Sequence, residues 1–251
     1  TMNATAFIIG NGESRLDFDI TDLKGKGIIY GCNAIYRDHP YLCDNIMAVN
    51  YPMYMEIHQM KQENNYRFNL LGVSDIENWN YTINGENLKK EKPQGMTYYD
   101  SYSRGKKTAM KKRVKDFRKT KGSGCTAVLH AALQGYNKIV MLGFDMIGKI
   151  DPDKNDLENW QNNVYKNSIN YPSRAKQKSY LIYEWLFHLT QTFKRFPETD
   201  FYMFNSKINL DYNTQYKLYF SKAPRNVRCG TYEQLSQMVQ GQEQSIDWIY
   251  Y

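Results

Sequence analysis

The sequence predicts an α/β fold, a Rossmann-like and mainly parallel sheet with helices on both faces and a mobile lid. Three observations carry this expectation. Short apolar runs alternate with helix-like or loop segments through the first half of the chain, as in a sheet built by crossovers and covered on both faces. A helix, a turn and a strand follow one another without a break from Gly122 to Gly143. Four apolar runs end in Asn, Gly or Asp, where the strands of an open sheet hand the chain to ligand-binding loops. With 251 residues, the chain suits a single nucleotide-binding domain over 1–251, and two full domains would be cramped.

In chain order, Ala6–Gly10 is the first strand and runs into Gly10-Asn11-Gly12-Glu13-Ser14. Two glycines there permit positive φ and close approach of backbone N–H groups to a ligand, while Ser14 can cap a following short helix. The pattern is not a dinucleotide fingerprint, because Arg15 occupies the third glycine position. Strands follow at Gly27–Gly31, Ile46–Val49 and Phe68–Val73, with a helix from Pro52 to about Gln62 that Pro suits at its first turn. Residues from about 75 to 121 lack a clean period and form a basic insertion. Gly122-Ser123-Gly124 opens a helix through Ala127, Val128, Ala131 and Ala132 to a stop at Gly135, and the strand Lys138–Gly143 follows. A lid is expected over about 146–172. Ser173 can then cap a long helix whose apolar face is Leu181, Ile182, Trp185, Leu186, Leu189 and Phe193. A strand at Asp200–Phe204 and a helix near Thr231–Val239 complete the chain.

The composition, 41% hydrophobic and 15% aromatic, excludes a disordered chain, and no apolar run is long enough to span a bilayer. Thr1-Met2-Asn3-Ala4 shows no leader pattern. Cys32, Cys43, Cys125 and Cys229 are widely spaced, which predicts free thiols and a cytoplasmic setting. The net charge of +7 is uneven: Arg104 to Lys121 holds ten basic residues and one acid, Asp116. Such a run is usually a solvated face. Interleaved with Tyr98, Tyr99, Tyr102 and Phe117, it could instead follow a phosphate backbone and stack on exposed bases, with Lys111, Lys112 and Arg113 at its centre.

Candidate chemistry gathers at the strand ends. Asn11 with Gly12, Asn33, Asn50 and Asp145 each follow an apolar run, and amides offer a donor and an acceptor together for ribose, base edge or phosphate. Asn is also common at strand ends because it tolerates turn conformations. Ser123 and Gly124 open a helix whose N-terminus suits an anion, and simple capping by Ser123 is compatible with that. His39, His58, His130 and His188 show no zinc spacing, and Asp151–Asp156 lacks the glycine and glutamate of a calcium loop, so no metal is expected.

These positions, in this order, resemble the Campylobacter-type bacterial sialyltransferases and related nucleotide-sugar-binding folds. The resemblance rests on Ile8-Ile9-Gly10-Asn11-Gly12-Glu13-Ser14, Cys32-Asn33 with Tyr36, Val49-Asn50-Tyr51-Pro52, and Ser123-Gly124 through Gly135-Tyr136 to Leu142-Gly143-Phe144-Asp145. It covers roughly residues 5–60 and 120–195. It implies a cytidine-type donor, metal-free transfer, and a donor pocket lined by Asn11, Gly12, Ser14, Asn33, Asn50, Ser123 and Gly124. The chain departs from the family where a histidine base would precede the long helix, which here reads Asn170-Tyr171-Pro172-Ser173-Arg174. It departs again after the strand-end Asp, where Met146-Ile147-Gly148 replaces the leaving-group tyrosine.

The expected function is therefore transfer of a sugar from a cytidine or uridine nucleotide sugar to a hydroxyl acceptor, with a hydroxylated base in DNA as one candidate. Asp145 is the candidate base, with Tyr171 and Arg174 on the leaving phosphate; Tyr165 and Lys176 could serve in their place. Asp145 could equally hold the ribose or cap a loop. The alternatives are a nucleotide-sequestering protein without turnover, a glycan-directed sialyltransferase-like enzyme, and a pyrophosphate transfer enzyme.

Overall fold

The structure is a computed structural model that describes residues 2–73, 81–83, 86–88, 97–99, 122–146, 149–151, 156–158, 162–171, 179–212 and 214–251. Apart from two short antiparallel pairs, Tyr81–Ile83 with Glu86–Leu88 and Lys149–Asp151 with Asp156–Glu158, the described strands are β1 (Met2–Ile9), β2 (Ile28–Cys32), β3 (Asn45–Met47), β4 (Asn69–Val73), β5 (Thr97–Tyr99), β6 (Tyr136–Leu142), β7 (Asp200–Asn205) and β8 (Val227–Thr231). They form one sheet in the order β8-β7-β6-β1-β2-β3-β4-β5. Every neighbouring pair is parallel, with β5 a short addition at one edge. Strand order reverses between β1 and β6, so the sheet is Rossmann-like and its topological switch point lies at their carboxyl ends.

The helices are α1 (Tyr51–Asn64), α2 (Ser123–Leu133), α3 (Ser179–Arg195), α4 (Lys207–Tyr212), α5 (Thr214–Phe220) and α6 (Tyr232–Val239). Alternation along each strand divides the core in two. Ala6, Ile8, Ile139, Met141, Phe201 and Met203 face α2, α3 and α5, where Val128, Leu186, Leu189, Phe193 and Tyr216 meet them. Phe7, Ile9, Val140, Leu142, Tyr202 and Phe204 face the layer containing Tyr54 and Ile57 of α1 and Tyr232 and Leu235 of α6.

Local sequence sets the helix ends. Pro52 lies in the first turn of α1, and Asn65 ends it at φ 54°. Gly135, at φ 92°, ends the turn after α2. Thr231 and Gln234 form a reciprocal capping box on α6. The carboxyl end of α3 is held by Asn226, whose Nδ2 donates to the carbonyls of Phe193 (3.0 Å), Phe196 (3.0 Å) and Thr199 (3.1 Å). Asn226 is 5% exposed. Asn226→Ala is expected to cost about 2–3 kcal/mol in urea unfolding, because three carbonyls lose one shared donor in a buried site.

Between the expected strand at Asp200–Phe204 and the expected helix near Thr231–Val239 the chain adds α4, α5 and β8, which the sequence did not announce. Strand β8 is short and carries Arg228 and Gly230, which mask its pattern. The basic run, the start of the long helix around Ser173, and Arg174 lie outside the described residues. Among the described residues no helix is long and apolar enough to cross a membrane, and all four cysteines are free and buried.

Candidate functional site

At the switch point the loops after β1 and β6 are packed against each other. Gly10 N donates to Leu142 O and Gly12 N to Gly143 O, both at 2.8 Å. Gly10 and Gly12 do not use the positive φ expected of them; Gly12 sits at φ −61°. They are needed for proximity instead. A Cβ on Gly10 would lie 2.6 Å from Gly143 O, and one on Gly12 would lie 2.5 Å from the Asp145 carboxyl carbon.

Asp145 lies beneath that turn, 3% exposed. One carboxylate oxygen accepts from Ser14 N at 3.0 Å and the other from the Ser14 hydroxyl. Ser14 therefore does not cap the short 3₁₀ turn Glu13–Asp17; its hydroxyl also meets the Tyr232 hydroxyl at 2.7 Å, and Gly143 N donates to Tyr232 at 3.0 Å. Burial pushes the Asp145 carboxyl above its ordinary value against these hydrogen bonds. From below, the Tyr216 hydroxyl is bound to the carbonyls of Phe144 and, at 3.0 Å, Asp145, and Asn205 donates to it at 2.9 Å. The carboxylate expected as a base thus accepts from Ser14 on each oxygen and lies buried beneath the turn.

The strand-end amides form a second cluster beside this one. Asn11 Nδ2 donates to Cys32 O at 2.7 Å, joining the ends of β1 and β2. Asn33, at φ 53°, accepts from Ser123 Oγ at 2.8 Å, and Ser123 Oγ accepts from Val49 N at 3.2 Å. The amino end of α2 is thereby tied to β2 and β3. Gly122 is the residue capping α2, so Ser123 links strands rather than capping its own helix. Gly124 lets α2 close on Phe144, whose ring would be 2.9 Å from a Cβ there. Asn50 precedes α1 with an exposed side chain that makes no capping bond.

Tyr171 completes the cluster. Its hydroxyl lies among the side chains of Asn33 and Asn11 and the Ala34 backbone, and burial pushes its pKa up to about 12. Neither that hydroxyl nor Asn11 Oδ1 meets a partner at hydrogen-bonding geometry, although both are buried. Buried polar atoms without partners are rare enough to require a reason, and a ligand is one.

Residues 162–171 of the expected lid form a strap over both clusters. Asn162 Oδ1 accepts from Glu13 N at 2.8 Å, Val164 N donates to Asn11 O at 2.8 Å, and Lys166 pairs with Glu13 at 2.5 Å. Arg37, paired with Glu56 at 2.6 Å, donates to Ser168 Oγ (2.7 Å) and Ile169 O (2.8 Å), and Asn170 donates to Glu56 at 2.6 Å. The sequence reading missed Arg15, Asn162, Tyr216 and Tyr232. Only Arg15, adjacent to the first turn, carried a signal, as a cation where a glycine was sought.

A cavity of about 480 Å3 opens elsewhere, among Lys24, Tyr41, Asp44, Arg67 and Asn69, at the amino ends of β2, β3 and β4. Ligands of open α/β sheets bind at the opposite ends, which favours the amide cluster. Among the described residues no group of three or more His, Cys, Asp and Glu is placed to hold a metal ion. Comparison with protein-family models, with curated proteins and with solved structures finds no match to the chain.

Proposed function

We propose that the protein binds a cytidine or uridine nucleotide sugar at the switch point and transfers the sugar to a hydroxyl acceptor. The observation that carries this reading is the pair of unpartnered buried atoms, Asn11 Oδ1 and the Tyr171 hydroxyl, beside Asn33 and the amino end of α2. They supply an acceptor and a donor for a base edge or ribose, and the helix end suits a phosphate. With the Tyr171 hydroxyl assigned to the base or ribose, Arg174 is the remaining candidate for the leaving phosphate. A thermal-shift panel of nucleotides and nucleotide sugars, followed by transfer assays with the donor that binds, tests the reading. No shift with any of them overturns it.

Asn11→Ala and Asn33→Ala are each expected to weaken nucleotide binding about tenfold, the worth of one hydrogen bond of ~1.4 kcal/mol, while the protein stays folded. Calorimetry on the folded variants measures this, and unchanged affinity in both removes the cluster from the site.

One observation favours a second reading, nucleotide binding without turnover: the strand-end Asp145 is buried beneath the turn with Ser14 bonded to each of its oxygens, the arrangement of a residue that holds a loop. Donor binding without transfer or hydrolysis would select it.

For the acceptor, the proposal is DNA tracked by the basic run. Its binding is expected to fall steeply with salt, and neutralising Lys111, Lys112 and Arg113 together should flatten the slope by about 3. Filter binding across a salt series reads this out; salt-insensitive binding with intact transfer to glycans would move the acceptor to carbohydrate.

A further inference from the structure

We infer that Arg15 is the receptor for the anionic part of the ligand, a phosphate or pyrophosphate group, and that Tyr165 of the strap occupies one end of it in the closed form. The inference deepens the nucleotide reading and rests on it for the identity of the molecule that carries the anion.

Arg15 is 3% exposed, as buried as the core around it. Its guanidinium nevertheless makes no ion pair among the described residues. Its one hydrogen bond to the protein there runs from Nη2 to the Tyr165 hydroxyl, at 3.0 Å, and its buried Nε has no acceptor. The Tyr165 ring lies 5.7 Å from the guanidinium carbon. A buried charge without a counter-charge is costly, and sequences keep one where something else supplies the compensation. The nearest carboxylate shown is the exposed Asp38, which bears on the same Tyr165 hydroxyl and makes no ion pair with Arg15. Arg37, the other cation facing Tyr165, is paired with Glu56 and has no such deficit.

The position of Arg15 suits a phosphate. It follows Ser14 directly at the switch point, one turn from Asn11, and a planar guanidinium presents Nε and Nη to two oxygens of one phosphate in a fork. A bound anion would exchange places with the Tyr165 hydroxyl. The strap must then shift, which means breaking its polar contacts near Glu13 and Glu56 and drawing Tyr165 partly out of the core cluster it belongs to.

The test compares the parent with Arg15→Met by thermal shift, using inorganic pyrophosphate, CDP, UDP, and the nucleosides cytidine and uridine as probes. The parent is expected to melt higher with pyrophosphate and with a nucleoside diphosphate. Arg15→Met should melt no lower than the parent without ligand, because a thioether of similar length removes an uncompensated charge. It should lose the pyrophosphate shift, bind the diphosphate about 30-fold more weakly, and keep its nucleoside affinity. A variant that melts lower without ligand and retains the pyrophosphate shift overturns the proposal. Nucleoside binding by a parent that ignores pyrophosphate overturns it too, and leaves the nucleotide reading intact. Pyrophosphate binding without any nucleoside diphosphate binding sinks that reading and keeps Arg15.

A second measurement needs no variant. Burial and the Arg15 charge hold the His39 imidazole below its ordinary pKa, against Asp38 and Asp19, which raise it. An anion seated on Arg15 cancels that repulsion, so an NMR titration of His39 in the parent should move upward when pyrophosphate is added. An unmoved titration at saturating pyrophosphate overturns the assignment.

Discussion

Asp145→Ala is expected to destabilise the protein by about 3–4 kcal/mol, and Asp145→Asn by about 1 kcal/mol or less. Alanine strips the acceptors from the Ser14 amide and hydroxyl, both bound to this carboxylate in a site only 3% exposed, and leaves a gap under Gly12. Asparagine can keep both bonds by reversing one. Its carbonyl accepts from Ser14 N, its amide donates to Ser14 Oγ, and the Ser14 hydroxyl turns to Tyr232, 2.7 Å away. Urea unfolding of both variants measures the difference, and equal losses would show that the carboxylate charge itself is required.

The pH dependence has a definite sign. Burial raises the folded-state value above the ordinary 3.8 of an unfolded Asp, so the folded protein holds this proton more tightly. The resulting stabilisation is complete below pH 3.8 and declines as pH rises from there through the raised folded value. The parent's advantage over Asp145→Asn should shrink across that interval. In turnover, a residue that holds Ser14 in place tolerates Asn within a few fold. Loss of transfer in Asp145→Asn with donor affinity intact would instead make Asp145 the base.

The parallel sheet was legible because its strands are buried on both faces and so appear as unbroken apolar runs, such as Ala6-Phe7-Ile8-Ile9 and Ile139-Val140-Met141-Leu142. The strand-end residues Asn11, Asn33 and Asp145 were legible as a set for the same reason: each follows such a run. Their partners were not. Ser14 and Tyr232 touch across 218 positions of sequence, and Arg15 and Tyr165 across 150, separations that no local pattern encodes. Of the two roles open to Gly10 and Gly12 only close approach is used, and a sequence does not distinguish a glycine needed for its dihedral angle from one needed for lack of a side chain. Gly143 needs both.

Gly143→Ala is accordingly expected to be among the most damaging single substitutions at the switch point, costing about 3–4 kcal/mol. Two separate penalties combine there. The residue sits at φ 70°, and a Cβ would come within 2.4 Å of Gly10 O and 2.9 Å of Gly10 C. Neither atom is the end of a flexible side chain, so the β1 and β6 loops must separate. Gly135→Ala provides the control, because Gly135 has φ 92° and nothing within 4 Å of the added carbon. It should cost only the dihedral strain, about 1–2 kcal/mol. The difference between the two, read from urea unfolding, isolates the close approach of the loops. The same separation would loosen Gly12 N from Gly143 O and shift Asn11. Gly143→Ala should therefore also weaken nucleotide binding, whereas Gly135→Ala, at the far end of β6, should leave it unchanged. Equal stability losses in the two variants would mean that the loops yield easily, and the rigid switch point assumed for the ligand cluster would fall with that result.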